Sequence, residues 1–316
     1  MTLLTIRTDP PSAAVPASPM RLAWLRFGDN RLGIAGLVGL TILAMLCYGT
    51  LPWTLTHYNQ QNLHNVLQSP DAAHWMGTDR LGRDLFCRFL LGGAISLFIG
   101  LASAAIAVSI GVVVGLVAGY TGGRTDAFLM RSVDVLYGLP NILLVILLRV
   151  ALLGRVGGWL GAAGVRQPQT FAGLLVLLVG IGAVSWLTMA RVVRSGVMSL
   201  RDQPFVEAAR AMGLGPMRIM FRHILPNLVS SVVVYATLTV PGAILSESFL
   251  SFLGLGVQPP LPTWGNLASA GVGDINPIHT HWWLIFWPCA GLGMGLLCLN
   301  FVGDALRDAL DPRTRP

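Results

Sequence analysis

Glu207 and Glu247 are the only glutamates in this chain of 316 residues, and lysine is absent, so all 21 side chains of the Lys/Arg class are arginine. The missing lysine excludes two chemistries. A Schiff base needs a lysine amine, and a phosphate-binding P-loop needs a lysine to reach the outer phosphates. ATP, if used, must therefore be bound elsewhere than on a P-loop of this chain. No HExxH or GxSxG stands in the sequence, and no span carries paired carboxylates, so no catalytic residue and no enzyme are expected. His279 and His281 lie at i, i+2 on a loop without further ligands nearby, and Cys47, Cys87, Cys289 and Cys298 form no CxxC pair. Neither a metal site nor a disulfide framework is expected. What remains is binding chemistry. Asp79, Arg80, Arg83 and Asp84 form a charged cluster; it either receives a partner protein or pairs internally to hold its own loop. Glu247 stands at the end of an apolar stretch, where ionisable groups are expensive. It either lines or gates a path or sits in interfacial water.

The elements that position these residues follow from composition. The chain is 54% hydrophobic and 11% charged, with a mean hydropathy of +0.67, whereas a soluble domain carries roughly 25% charged residues. A surface so poor in charge belongs in a lipid bilayer. Charge-poor intervals of about 20 residues, the length that crosses the hydrocarbon core, predict an all-α integral membrane protein with about six spans. They fall at 32–53, 92–119, 127–153, and within 167–190, 223–246 and 275–303. In the third, Asp126, Arg131 and Asp134 are expected near one interface and Arg149 to snorkel toward the other. Pro140, Pro241 and Pro288 fall inside spans, where neighbouring helices satisfy the carbonyls a kink frees. With Glu247, Pro140 and Pro241 are the candidate pathway or gate residues.

Fifteen arginines lie in the segments that would be inner with the N-terminus inside, against six in the outer ones. The positive-inside rule then puts both termini in the cytoplasm. The net charge of +7 reflects these helix-flanking arginines, and nucleic acid is not an expected partner. Residues 1–31 read as a cytoplasmic tail without the apolar core of a signal peptide. The first span at 32–53, an outer loop at 54–90, a core at 91–305 and a tail at 306–316 complete the division. A second long outer loop runs over 252–281, and Trp264, Trp282, Trp283 and Trp287 are expected to form an aromatic belt at the outer end of the sixth span.

The most unusual inner segment is 201–227, RDQPFVEAARAMGLGPMRIMFRHILPN. Helix formers over 205–212 are broken by Gly213-Leu214-Gly215-Pro216, and a helix resumes over 217–224. A helix–turn–helix along the membrane surface is predicted. Its apolar residues Val206, Met212, Met217, Met220 and Phe221 exceed what so short a turn can bury, which implies a partner.

At these residues a family resemblance becomes specific. Glu207-Ala208-Ala209, Gly213, Ile219 and His223-x-Leu225-Pro226 resemble the EAA motif of ABC importer permeases. In that family the loop is a coupling helix that docks on a separate ATPase subunit. The resemblance implies that Glu207 contacts the ATPase or fixes the loop, that Gly213 allows a turn a side chain would block, and that Ala208 and Ala209 keep the docking face small. His223 and Pro226 complete the motif, while Met217, Met220 and Phe221 are candidate apolar contacts from their spacing. His74-x-x-Gly77-Thr78-Asp79-x-x-Gly82-Arg83-Asp84 resembles the outer-loop signature of the dipeptide, oligopeptide and nickel branch. Gly119-Tyr120-x-Gly122-Gly123-x-x-Asp126, Ser251-Phe252-Leu253-Gly254-Leu255-Gly256 with Trp264-Gly265, and Asn300-x-x-Gly303-Asp304 with Asp311-Pro312 extend it over about residues 20–315. Two positions depart: Cys87 stands where the family usually has Ser, and Ala94 where it has Arg.

The resemblance implies a type I ABC importer permease (MetI-like) core, of the second, C-type subunit, in the bacterial cytoplasmic (inner) membrane. Its implied partners are a homologous permease in a heterodimer, two ATPase subunits that carry ATP and Mg, and an extracytoplasmic substrate-binding protein; no cofactor is expected on this chain. Di- or oligopeptides are the implied cargo, with nickel or another small solute as alternatives, and alternating access is the implied mechanism. A secondary transporter would need ionisable relay groups within its spans. Both it and a membrane enzyme leave the 201–227 loop without a purpose.

Overall fold

The computed structural model describes residues 19–275 and 280–310. His279, residues 1–18 of the expected N-terminal tail and residues 311–316 of the C-terminal one lie outside the described residues. Helices α1 (Pro19–Asp29), α2 (Arg31–Gly49) and α3 (Leu51–His57) open the chain, and α4 (Leu85–Thr121) follows a long loop. Next come α5 (Gly123–Tyr137), α6 (Asn141–Ala162), α7 (Pro168–Leu200), α8 (Pro204–Ala211) and α9 (Pro216–Ile219). A π-helical turn at Met220–Ile224 leads into α10 (Leu225–Phe252), followed by α11 (Trp264–Val272) and α12 (Trp283–Leu310). Among the described residues, six helices are long and apolar enough to cross a membrane: α2, α4, α6, α7, the stretch containing α10, and α12.

Lipid is as apolar as leucine, so spans associate through close packing rather than through water exclusion. The pairing of α4 with α7 shows how. Gly111, Gly115 and Gly119 recur every four residues on one face of α4, and α7 lies directly against them. A Cβ there would fall 2.6 Å from Met189, 2.7 Å from the Ala190 carbonyl oxygen and 2.7 Å from Val193 or Val197. The contact seeds a core of Leu116, Met189, Val193 and Val197.

Several sequence expectations change. The third span is Asn141–Ala162, not 127–153. Pro140 has no N–H to continue a helix and disfavours helical geometry at Leu139, so α5 stops at Tyr137 and Pro140 becomes the N-cap of α6. Asp126 and Asp134 consequently sit on α5, outside the span, while Arg149 falls near its middle. Arg149 does not snorkel: it is buried, and its Nη1 donates to the Leu255 and Gly256 carbonyl oxygens. The tryptophan belt is half core: Trp264 and Trp283 are buried, and Trp264 Nε1 donates to the Phe89 carbonyl at 3.1 Å. The expected tail before residue 31 contains a helix, α1, whose Phe27 packs on Ala305 and Ala309 of α12. The outer loop yields to α4 at Leu85, and α12 continues past residue 305 to Leu310.

Candidate functional site

The loop after α7 is built from three local devices. Pro204 opens α8, where its missing N–H leaves no intrahelical bond unmade. At the other end Gly213 takes φ +77°, its N–H bonds the Arg210 carbonyl at 2.9 Å, and Leu214 N–H bonds Ala209 at 3.2 Å. This pair of bonds is the Schellman cap, which favours glycine for its left-handed backbone. A Cβ at Gly213 would meet nothing within 4 Å, so the requirement is for backbone conformation and not, as expected, for space. Then Pro226, at the second position of α10, cannot donate to the Arg222 carbonyl. Leu225 N–H instead reaches back to the Met220 carbonyl, which makes the π-turn.

That turn decides which side chains face out. Val206, Ala209, Ile219, Met220 and Ile224 are buried in the α4–α7 core. Met220 is 4% exposed, so its expected place on the docking face is corrected, as are those of Ala209 and Val206. Met212 is 71% exposed and Met217 64%; Phe205, Ala208 and Phe221 are exposed beside them. Glu207 is exposed; its N–H bonds the Gln203 carbonyl at 3.2 Å within the helix start, but its side chain makes no hydrogen bond or ion pair among the described residues, so the carboxylate does not fix the loop. His223 is half-buried, its carbonyl accepting from Asn227 Nδ2 at 2.7 Å. The ledge is anchored nonetheless: the Arg210 guanidinium lies 5.4 Å from the Tyr120 ring centre and Arg201 Nη1 donates to Gly119 O at 3.2 Å. Arg194 Nε and Nη2 hold Asp126 on α5 at 2.5 and 2.6 Å, which keeps that carboxyl below the usual carboxylate range. Arg191 bonds Asp134 at 2.7 Å and stacks 4.2 Å over Tyr137.

The 58–84 loop, at the opposite end of the spans, is bonded largely to itself. Asp79 Oδ1 accepts from Leu81 N at 2.9 Å and Arg83 N at 3.0 Å, and its Oδ2 from Arg83 Nε at 2.7 Å. Arg88 adds a second, buried cation 3.4 Å from Oδ2. Asp84 stands apart from this pair: it caps α4 through Cys87 N at 2.8 Å and meets His74 Nδ1 at 2.8 Å. Arg80 reaches across to Asp274 and to the Gly273 carbonyl, at the end of α11.

Glu247 neither lines a path nor meets water. It is 0% exposed; Oε1 accepts from Ser251 Oγ at 2.7 Å and Thr263 Oγ1 at 2.8 Å. Thr263 caps α11 through a capping box with Asn266, and Ser96 Oγ accepts from Trp264 N at 3.2 Å. The carboxyl thus ties α10 to the start of α11. A cavity of about 360 Å³ opens instead between α6, α7 and α10, with Tyr137 of α5 at its edge. Pro140 and Pro241 are next to its wall residues Asn141 and Gly242 but are not part of it.

Residues 111–316 match the family described as the binding-protein-dependent transport system inner membrane component, and residues 18–70 match the N-terminal transmembrane domain of oligopeptide transport permease C. The chain belongs to this family of ABC importer permeases. It is 40% identical over 294 residues to the oligopeptide transport system permease protein OppC of Bacillus subtilis, covering 93% of this chain and 89% of that one. OppC of Escherichia coli K12 is 43% identical, covering 92% and 90%. The dipeptide transport system permease protein DppC of Bacillus subtilis is 41% identical, covering 93% and 85%. Among solved structures, the methionine ABC transporter MetNI in inward-facing conformations is similar with a TM-score of 0.54 at 19% identity, covering 72% of this chain and 98% of that one. The MetI-like fold is thereby shared.

In this permease, sequence reasoning passed over the carbonyls that hold Arg149, the hydroxyls of Thr263 and Ser96 at the start of α11, and the Asp126–Arg194 clasp. The last carried a signal: a carboxylate just beyond the second span and a guanidinium near the end of the fourth predict a partner at the interface. The other two depend on residues some 16 to 168 positions away in sequence, and no local pattern announces them.

Proposed function

We propose that this chain is one of two homologous permease subunits of an ATP-driven, binding-protein-dependent importer of di- or oligopeptides in the bacterial inner membrane. The observation that carries the proposal is the ledge after α7, which is packed against α4 and α7 yet leaves the side chains of Glu207, Met212, Met217 and Phe221 exposed, without a partner among the described residues. The names of the related permeases support the peptide cargo. Two ATPase subunits hold ATP and Mg and close beneath the ledge and its counterpart on the second permease. Because α7 continues into α8 across only three residues, motion of the ledge is motion of α7, and the wall of the cavity moves with it. An extracytoplasmic binding protein delivers substrate at the other end, and both termini lie in the cytoplasm. The spans alternate between inward and outward access, and hydrolysis on the partners resets them. The chemistry stays on the partners; this chain is a wall and a lever.

The test is a reconstituted complex of both permeases, both ATPases and the binding protein. Glu207→Arg and Gly213→Trp are expected to lower peptide uptake and binding-protein-stimulated ATP hydrolysis together, each by more than about tenfold, as a loss of about 1.4 kcal/mol or more in coupling would. Wild-type levels of both activities in both variants would remove the coupling assignment.

A further inference from the structure

The cavity between α6, α7 and α10 has a chemical character that the importer reading does not specify. Its wall combines apolar side chains such as Val145, Ile181 and Leu238 with hydroxyl and amide groups, and no charged side chain lines it among the described residues. Three hydroxyls are already committed as donors. Ser185 Oγ donates to Ile181 O at 2.9 Å, Thr239 Oγ1 to Tyr235 O at 2.7 Å and Ser246 Oγ to Gly242 O at 2.8 Å. Each hydrogen points into its own helix backbone, so only oxygen lone pairs remain for the cavity. Asn141 and Thr188 also line the wall and make no side-chain hydrogen bond among the described residues.

We infer that this cavity is the chain's wall of the substrate passage, and that it receives the N–H groups and terminal ammonium of a peptide through the uncharged oxygens of Ser185, Thr239 and Ser246. The inference rests on the importer reading and names the recognition chemistry within it. Neutral acceptors suit a passage. A carboxylate here would hold an ammonium through a charge-assisted bond roughly twice as strong, whereas passage requires binding weak enough to leave. Peptide N–H groups are common to every peptide, and an uncharged wall takes no account of side-chain charge. Passage through this half of the path is therefore indifferent to whether the peptide carries lysine or aspartate.

The experiment measures uptake of three tripeptides, neutral, lysine-containing and aspartate-containing, by the complete reconstituted complex. The readout is the ratio of lysine-peptide to aspartate-peptide uptake at saturating binding protein. That ratio is internally normalised, so partial loss of folding or assembly does not move it. Thr239→Asp and Thr239→Arg are expected to move the ratio in opposite directions, each by about tenfold, the scale of a single charge acting within a few ångströms in a partly solvated site. Thr188→Arg, on α7 across the cavity, is expected to shift it in the same direction as Thr239→Arg and serves if the α10 variants fail to assemble. Ratios within twofold of wild type in all assembled variants, with normal wild-type uptake, overturn the passage assignment alone. A wild-type complex that hydrolyses ATP but moves none of the three peptides overturns the importer reading and this inference with it.

Discussion

The two ends of the molecule handle their charged and apolar residues in opposite ways. On the 58–84 loop, Asp79, Arg83, Asp84 and Arg80 all find partners within the chain: Asp79 alone accepts from two backbone N–H groups and one guanidinium. At the other end, the Glu207 side chain has no partner among the described residues, and Met212, Met217 and Phe221 stay exposed. A segment that satisfies itself is built for shape, and one that is firmly mounted yet leaves its tips bare is built for contact. The signature residues that look most interactive in the sequence are thus mainly the frame of their own loop. The plainer Glu207–Phe221 stretch presents the surface.

This contrast can be broken by experiment. Asp79→Ala should have the largest effect on folding, because it strands Arg83, the buried Arg88 and two backbone donors; removing one partner of such a pair costs about 3–5 kcal/mol. A melting temperature of the purified permease pair within a degree of wild type would show that the loop is not self-supporting. Asp126→Asn should cost about 1–2 kcal/mol by weakening the clasp with Arg194. Its pH dependence has a definite sign. The native carboxyl titrates below its unfolded value, so the stabilisation is present above that value and fades only as pH falls through the lower native one. The melting difference between wild type and Asp126→Asn should hold from pH 7 to pH 5 and shrink below about pH 4. A difference that already vanishes at pH 5 would contradict the clasp. Smallest in stability is the paired change Met212→Gln with Met217→Gln, expected to shift folding by less than about 0.5 kcal/mol. The same variant should weaken ATPase binding to the permease pair by more than tenfold in a pull-down titration. Unchanged ATPase binding would mean that the bare ledge is not a contact surface.

The sequence was informative wherever the controlling physics is local. Apolar length marks the six spans, because a helix in lipid must be long enough to cross and has nowhere else to satisfy its backbone. Gly213, flanked by helix formers, marks a cap, since few other residues adopt φ +77° without strain. The break at Pro140 was equally local, yet the apolar run on either side outweighed it and the third span was expected 14 residues too early at its start.

Tertiary structure decided what the local pattern leaves free. Met220 and Phe221 are adjacent apolar residues, and only the π-turn fixes which one the core takes. Arg149 looks like an interruption in its span until the backbone after α10 folds back to present the Leu255 and Gly256 carbonyls. Glu247 looks like a gate until Ser251 and Thr263, one on its own helix and one beyond it, surround it with hydroxyls. In each case the energy of a polar or charged group depends on the few ångströms around it. Periodicity along a chain specifies which helix faces are apolar, but not which distant atoms will stand opposite them.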